Sequence, residues 1–265
     1  KSIDSLEGQS KYVAMGNLAT LLNDEGKWQE ALDINRECFA FFKSKDAKSQ
    51  MATAISQQAQ IYQDQGKYEQ ALNLEQDGLA FEEEIGNKEN IVITHYRIAQ
   101  LLFLMERYDE ALKRGEEGLE MAHESRNQQL EAGFFHQLGS TLNMQNRPKE
   151  AFEHFSKSLA IHEQIGYKAG QADSLTEIGK LLRRAGDFKE ALDCFQRALN
   201  SYRELDNPAK VAIVLEVIGV VFEEQGHYEE ALIKYQEALQ LEKQYGSPQD
   251  IARTKGNIAR IKRKM

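Results

Sequence analysis

Apolar and polar residues follow helical spacing along most of the chain, and residues 49–87 show the pattern clearly. Apolar residues recur at intervals of three and four from about Ser49 to Gln65, which predicts a helix with one buried face. Gly66 is expected to end this helix, because glycine adopts the left-handed conformation after a helix C-terminus without a steric clash. A second helix is predicted from about Tyr68 to Ile85. The apolar positions of the two helices are Ala52, Ile55, Ala59, Ile61 and Tyr62, then Ala71, Leu72, Leu74, Leu79 and Phe81.

The same helix–turn–helix pattern returns every 40 residues, as the distance from Gly26 to Gly66 shows. Its marker is the segment 66–72, with the sequence GKYEQAL, and related segments begin at Gly26, Glu106, Asn146, Gly186 and Gly226. A fixed repeat of this length indicates stacked supersecondary units. We therefore predict an all-α fold, an α-α superhelix of six helix–turn–helix units plus a C-terminal capping helix, forming one domain over residues 1–265. The predicted boundaries are about 8–47, 48–87, 88–127, 128–167, 168–207 and 208–247 for the repeats and 248–264 for the capping helix.

Several columns of the repeat keep one kind of residue, and we interpret them as packing positions without chemistry. A small residue that lets helix backbones approach closely recurs in each first helix, and alanine recurs opposite it in each second helix. The two columns are Ala19, Ala59, Ala99, Gly139, Gly179, Gly219 and Ala259, and Ala31, Ala71, Ala111, Ala151, Ala191 and Ala231.

Start and stop signals mark the joints of the repeats. Asn207 and Ser247 each precede a proline, which predicts a capped helix start, and Pro148 is placed to begin the second helix of the fourth repeat. Glu106 and Asn146 occupy the position of the turn glycine. A left-handed backbone would strain a glutamate, so we expect the turn at Glu106 to differ, whereas asparagine is better tolerated.

The last helix combines four apolar residues with many basic ones. We expect Ile251, Ile258, Ala259 and Ile261 to pack on the sixth repeat, so that the helix covers the last apolar face of the array. The alternative is that its basic residues contact an acidic partner. They are Arg253, Lys255, Arg260, Lys262, Arg263 and Lys264.

Composition narrows the possible functions. A net charge of −9 argues against nucleic-acid binding through a general basic field. The two cysteines, Cys38 and Cys194, lie in distant repeats, so a disulfide between them is not expected. There is no apolar run of membrane-spanning length and no signal peptide, which favours a cytoplasmic protein without a membrane partner. The chain begins at Lys1 rather than methionine, so whether it is a fragment of a longer protein stays open.

No motif for catalysis or cofactor binding is present in the sequence. Phosphate-loop, paired-cysteine and His-Glu-x-x-His patterns are all missing. His154 and His162 lie two turns apart on one predicted helix, an arrangement that seldom marks a metal site. We therefore expect a protein that is not an enzyme and that holds no cofactor or metal.

The repeated residues resemble the tetratricopeptide repeat. The shared features are the small residue of the first helix, the Gly-x-aromatic-x-Glu-Ala-Leu turn and the alanine of the second helix. Units of 40 residues are longer than the family's usual 34 and are similar to those of kinesin-light-chain-like proteins. The resemblance implies a right-handed superhelix whose first helices line a concave groove. It also implies a scaffold that binds a peptide or helix of a partner protein in that groove, without catalysis.

The family pattern also indicates which residues face the groove. The centre of the groove is predicted to be apolar and a neighbouring part basic, which suits a partner with acidic and hydrophobic residues. The candidate partner-binding residues are Tyr96, Arg97, Gln100, Phe103, Leu104, His136, Met144, Lys180, Arg183 and Arg184. The aromatic and aliphatic ones could instead fill the ridge between helices, and the basic ones could pair with acidic residues of the sixth repeat. The carboxylate clamp of chaperone-binding family members is not expected, since only Arg97 matches it.

Two other functions stay open at this point. The chain could be a sensor or regulatory module of a larger multidomain, possibly enzymatic, protein. It could also self-associate through the open ends of the array, and the oligomeric state is not determined by the sequence.

Overall fold

The structure, a computed structural model, describes residues 3–265, with side chains from residue 10 onward. Lys1 and Ser2, where the predicted domain begins, lie outside the described residues. Residues 3–265 form thirteen α-helices and no β-strand, which confirms the predicted all-α repeat fold. The helices are α1 (Ile3–Asp24), α2 (Trp28–Ser44), α3 (Lys48–Asp64), α4 (Tyr68–Ile85), α5 (Lys88–Leu104), α6 (Tyr108–Glu124), α7 (Gln128–Met144), α8 (Pro148–Gln164), α9 (Lys168–Ala185), α10 (Phe188–Glu204), α11 (Pro208–Glu224), α12 (Tyr228–Tyr245) and α13 (Pro248–Lys262).

The chain divides into two compact units, Lys1–Leu130 and Glu131–Met265. We call them unit 1 and unit 2. Each is built from antiparallel helix pairs, in which an odd-numbered helix packs against the even-numbered helix that follows it. The prediction of a single domain over residues 1–265 stays a prediction.

The turns inside the helix pairs share one conformation, whether or not they contain glycine. At Gly66, where φ is +72°, the backbone N–H donates to the carbonyl of Gln63 at 2.8 Å. Glu106 has a φ of +60° and its N–H donates to the carbonyl of Phe103 at 3.0 Å. The expectation of a different turn at Glu106 was therefore wrong, because the glutamate accepts the left-handed backbone. Asn146 does the same, with a φ of +59°.

Capping contacts begin the later helices as predicted. The side chain of Asn207 accepts a hydrogen bond from the backbone N–H of Lys210, and Ser247 forms a reciprocal capping box with Asp250. Pro148 is the first residue of α8. These contacts satisfy backbone N–H groups that have no partner within the helix.

The packing columns lie in the core. Ala31, Ala71 and Ala191 have no exposed surface, and Ala19, Ala59 and Ala99 are also buried. Cys38 is buried, and neither Cys38 nor Cys194 forms a disulfide. The small residues that recur in the repeats thus lie where the sequence predicts, at the contacts between paired helices.

In unit 2, aromatic rings fill the space opposite the small residues of the first helices. Phe155, Phe195 and Tyr235 are completely buried, one in each second helix. A Cβ atom added at Gly179 would lie 2.6 Å from Cε1 of Phe195, and the corresponding distances are 3.0 Å from Gly139 to Phe155 and 2.8 Å from Gly219 to Tyr235. At Gly179 and Gly219 the rings occupy the space that a side chain would need.

In unit 1 the corresponding column is polar or small. Forty residues before Phe155 stands Gly115, and the earlier members are Glu75 and Asn35. Both Asn35 and Glu75 are buried, with 0% and 2% of their surface exposed. At this position of the repeat, unit 1 therefore buries the polar side chains of Asn35 and Glu75, whereas unit 2 buries aromatic rings.

Helix α13 covers the end of unit 2 through both apolar and charged contacts. Ile261 is completely buried and Ile258 packs beside it. Ala259 is exposed, so the expectation that it packs on the sixth repeat was wrong. Arg253 makes two hydrogen bonds of 2.7 and 2.8 Å to the carboxylate of Glu216. These contacts support the capping role predicted for this helix.

Side chains of successive first helices meet at two fixed sequence separations. Residues 41 positions apart are joined in both units, for example Ser56 with Arg97 and Glu216 with Asn257. Residues 37 positions apart are joined as well, for example Asp173 with Lys210. The two separations differ by four residues, which is about one helical turn.

Candidate functional site

A polar cleft opens between α1 and α3 in unit 1. We call it the amide cleft, and its volume is about 280 Å³. Most of its lining consists of amide and hydroxyl side chains, with one guanidinium. The lining residues are Ala19, Thr20, Asn23, Asn35, Thr53, Ser56, Gln57, Gln60, Ile61 and Arg97.

Asn35 supplies the deepest polar group of the amide cleft. It projects from the second helix α2 and is completely buried. Neither its amide nitrogen nor its amide oxygen has a hydrogen-bond partner. Leaving buried polar groups unpaired costs about 1–3 kcal/mol, so the position is one that packing alone does not explain.

Asn23 adds a second unpaired oxygen at the cleft. Its Nδ2 group donates to the carboxylate of Asp64, while its own Oδ1 is buried without a partner. Gln60 donates to the other oxygen of Asp64 at 2.8 Å. Asp64 therefore fixes the orientation of one asparagine and one glutamine on the cleft wall.

Arg97 forms the wall contributed by α5 and is held by three groups. Its Nε lies 3.0 Å from Oε1 of Glu75, and its Nη2 donates to the hydroxyls of Ser56 at 3.0 Å and Thr94 at 3.2 Å. Burial raises the pKa of Glu75, an effect that the positive charge of Arg97 opposes. The guanidinium therefore lies at the cleft in direct contact with a buried carboxyl group.

A second cleft of about 250 Å³ lies beside the first, and more of its lining side chains are aromatic or aliphatic. We call it the apolar cleft. It shares Thr53 and Gln57 with the amide cleft, so the two are neighbours on one face. Its lining residues are Tyr12, Val13, Gly16, Asn17, Cys38, Phe42, Gln50, Thr53, Ala54 and Gln57.

The other predicted site residues of unit 1 have mixed surroundings. Gln100 is exposed, Leu104 is 38% exposed, and Tyr96 is half-buried with contacts of its own. Phe103 packs against the core, with its ring centroid 5.8 Å from that of Tyr108. Phe103 therefore fits the alternative of ridge packing better than that of a partner anchor.

The predicted basic residues of unit 2 are engaged within the unit. Lys180 pairs with Glu177 at 2.7 Å, Arg183 pairs with Glu224, and Arg184 donates to the side chain of Asn143. Glu224 belongs to the sixth repeat, so the contact of Arg183 matches the alternative that basic residues pair with acids of that repeat.

The two remaining candidates of unit 2 differ in exposure. The ring of His136 stands edge-on to Phe155, with centroids 5.1 Å apart, and burial lowers the pKa of this histidine. Met144 is 55% exposed. His136 is thus largely a packing residue, whereas Met144 is available to a partner.

Asn35 and Glu75 were missed as candidate residues. A signal for both is present in the sequence: the column that reads Phe155, Phe195 and Tyr235 in unit 2 becomes polar at Asn35 and Glu75 in unit 1. Both residues project from second helices, whereas the predicted groove residues belong to first helices, and of the two Asn35 lines the amide cleft.

Two kinds of feature are absent from the residues that the structure describes. No helix there is long and apolar enough to cross a membrane. No group of three or more His, Cys, Asp or Glu side chains there is arranged to hold a metal ion.

Comparison with known proteins identifies the family of the repeats. The tetratricopeptide repeat family model matches residues 11–84, 50–124, 130–204 and 171–244. The chain belongs to the tetratricopeptide repeat family. Tetratricopeptide repeats serve as protein-interaction modules and are generally non-catalytic scaffolds. No curated protein sequence matches the chain.

Several solved tetratricopeptide repeat structures have a similar fold. BtubC (BKLC) from P. vanneervenii is 17% identical, with a TM-score of 0.68 over 82% of this chain and 88% of that one. A Rap protein complexed with Competence and Sporulation Factor is 14% identical, with a TM-score of 0.68 over 96% and 75%. A signal transduction ATPase with a tetratricopeptide repeat sensor from Pyrococcus horikoshii is 16% identical, with a TM-score of 0.68 over 98% and 42%. At these identities the likeness concerns the fold alone.

Proposed function

We propose that the protein binds an extended segment of a partner protein on the face of unit 1 formed by α1, α3 and α5. The observation that carries the proposal is the amide cleft, with the unpaired, buried amide of Asn35 at its base. A binding site often contains polar groups that find their partners only when the ligand is present. The Rap protein that is similar in fold is itself complexed with a factor.

The chemistry of the face favours a polar and apolar partner over an acidic one. An acidic partner was expected because of Lys180, Arg183 and Arg184, but these residues are engaged with groups of unit 2. Arg97 is in direct contact with the buried carboxyl group of Glu75. We therefore assign the partner segment hydrogen-bonding side chains and at least one apolar side chain, which suits the two neighbouring clefts.

Gln100 and Tyr96 extend the same face along α5 and are proposed as further contacts. Leu104 and Met144 are exposed apolar residues that could add affinity in their respective units. The functions of sensor module and of self-association through the ends stay predictions, as does the absence of enzymatic activity.

A blocked cleft provides the test. Thr20 is exposed at the mouth of the amide cleft, so Thr20→Trp fills the opening without disturbing the core. Ala14→Trp is the matched control, because Ala14 is exposed on the same helix and lines neither cleft. Random peptides displayed on phage would be selected on the wild-type protein, and the affinity of enriched sequences would be measured by fluorescence anisotropy.

We expect the enriched peptides to bind Thr20→Trp at least about tenfold more weakly than wild type and Ala14→Trp with unchanged affinity. Selection that enriches no peptide, or peptides that bind the two tryptophan variants equally well, would show that this face is not the binding site.

A further inference from the structure

We propose that the base of the amide cleft binds a primary carboxamide, the side chain of a glutamine in the partner segment. This inference rests on the proposed function and specifies the residue that unit 1 recognises. It starts from three buried polar atoms that have no hydrogen-bond partner: Nδ2 and Oδ1 of Asn35 and Oδ1 of Asn23. Together they offer one donor group and two acceptors to whatever occupies the cleft.

The orientation of the Asn23 amide follows from its surroundings. The orientation of the Asn35 amide does not change which donors and acceptors are unpaired. If the Asn23 amide were reversed, its oxygen would face the Asp64 carboxylate, and two acceptors would repel each other. Its nitrogen must therefore point to Asp64 and its oxygen elsewhere. Reversal of the Asn35 amide exchanges one unpaired donor with one unpaired acceptor and leaves the same set of groups.

A primary carboxamide matches this set. Its nitrogen carries two N–H donors and its oxygen accepts hydrogen bonds. One N–H can donate to Oδ1 of Asn35 and the other to Oδ1 of Asn23, while the ligand oxygen accepts from Nδ2 of Asn35. All three orphaned groups are then paired.

Other common groups of a peptide leave some of these atoms unpaired. A carboxylate has no donor for the two asparagine oxygens, and the neighbouring Asp64 would repel it. An ammonium group donates but leaves Nδ2 of Asn35 without an acceptor. A main-chain amide has a single N–H, so it can satisfy Asn35 but not Asn23 as well.

The depth of the cleft favours glutamine over asparagine. Thr20, Thr53 and Gln60 at its mouth are exposed, whereas Asn35 at its base has no exposed surface. A ligand group must therefore pass between the first helices to reach an amide that projects from a second helix. The additional methylene of glutamine provides that reach, and Ala19 and Ile61 give it an apolar wall.

The apolar cleft specifies a second position of the partner. Gly16 lines the apolar cleft and Thr20 lines the amide cleft, four residues apart on α1 and hence separated by about 6 Å. In an extended peptide, alternate side chains on one side are about 6.6 Å apart. The fitting segment thus carries an apolar residue two positions from the glutamine.

Peptides that differ in one side chain test the assignment. Short peptides with leucine two positions before or after a central glutamine would be blocked by an acetyl group and an N-methylamide, so that glutamine supplies the only primary carboxamide. Matched peptides carry glutamate or methionine in its place. Binding would be followed through the side-chain amide NMR signals of the protein, with free L-glutamine as a separate ligand.

We expect the glutamine peptide to bind at least about tenfold more tightly than either matched peptide and to shift the Asn35 side-chain signals. The Asn35→Leu variant should lose this preference. Because leucine removes an unpaired buried amide, its thermal midpoint should rise by about 2–4 °C. Asn200→Leu, an exposed asparagine on α10, is the control and should alter neither property.

Each other outcome has a defined meaning. Equal affinity for the three peptides, with no shift of the Asn35 signals, would overturn the carboxamide site and indicate that Asn35 binds only trapped water. Peptides that bind without discrimination would leave the proposed function intact, whereas absence of all peptide binding would contradict both. Free L-glutamine that binds as tightly as the peptide would support the carboxamide and overturn a partner segment as its source.

Discussion

Several turn residues with a side chain adopt a left-handed backbone, which lowers the stability of the fold. Among the described residues, five that are not glycine have positive φ angles, including Glu106 at +60°, and six glycines have positive φ angles as well. A left-handed backbone costs an ordinary L-residue about 1–2 kcal/mol. The turn at Glu106 is thus held in its conformation by the two helices that it joins.

Glycine should be the better residue at position 106. We expect Glu106→Gly to raise the free energy of unfolding by about 1 kcal/mol, because it removes this strain. The reciprocal change Gly66→Ala should lower it by a similar amount, since Gly66 has a φ of +72° and open space around it. Urea unfolding of the two variants measures both effects, and changes of the same sign would contradict the explanation.

At the helix contacts of unit 2, the available space rather than the backbone conformation determines that glycine is present. A Cβ at Gly179 would overlap the ring of Phe195, so Gly179→Ala should destabilise the protein by about 1–3 kcal/mol. Gly256→Ala is the matched control in α13, where the added atom meets nothing within 4 Å. It should stabilise the helix by about 0.5–1 kcal/mol. Equal melting temperatures of the two variants would argue against the close contact.

Residue patterns predicted the fold in detail but only part of the candidate site. The copies of the segment 66–72 located the helix starts, such as Tyr68, because stop signals and apolar spacing are local properties of the chain. The unpaired amide of Asn35 could not be recognised in that way, because it depends on which groups of other helices surround the side chain. The pairing of Arg183 with an acid of the sixth repeat was one of two alternatives from the sequence, and the contact with Glu224, 41 residues away, decides between them only in the structure.

Helix α13 depends on a charged cluster as well as on apolar contacts. Glu223 accepts hydrogen bonds from Arg260 at 2.7 and 2.8 Å, from Lys264 at 3.0 Å and from Tyr235 at 2.9 Å. The hydrogen bonds from Arg260, and then those from Lys264 and Tyr235, lower the pKa of Glu223 to about 2. The helix is therefore anchored by a carboxylate that stays ionised in mild acid.

The pH dependence of stability should reveal this anchor. Because the pKa is lower in the folded than in the unfolded protein, the stabilisation is complete above about pH 4.5 and is lost as the pH falls towards 2. Glu223→Gln should lower the free energy of unfolding at pH 7 and should make that free energy fall less steeply between about pH 4.5 and 2. Glu153→Gln, at an exposed position of α8, should leave the curve unchanged. Parallel wild-type and Glu223→Gln curves from denaturant titrations between pH 2 and 7 would contradict the assignment.

At the scale of the molecule, the two units share a repeat but differ in what they bury. Unit 2 is filled by the aromatic rings of Phe155, Phe195 and Tyr235, and its last face is covered by α13. Unit 1 contains Asn35 and Glu75 at the same level and has the amide cleft above them. Unit 2 is thus built for stability, whereas unit 1 carries the features of a binding site.

Unit 2 should therefore fold without the preceding repeats. We expect a fragment of residues 128–265 to be helical by circular dichroism and to melt cooperatively, since it holds its own core and cap. The shorter fragment 128–247, which lacks α13, exposes Tyr235 and Glu223 and should melt at least about 5 °C lower. A disordered spectrum for the longer fragment would show that its core depends on unit 1.

The separations of 37 and 41 residues between contacting side chains limit how the chain can change in length during evolution. A deletion or insertion of a few residues in any helix would misalign all the pairs that span it, whereas the gain or loss of 40 residues would recreate each pair one repeat further on. Duplication of whole repeats is thus the change in length that this chain tolerates. In related proteins that arose by such duplications, a substitution at one position should be correlated with a substitution at the position 37 or 41 residues away.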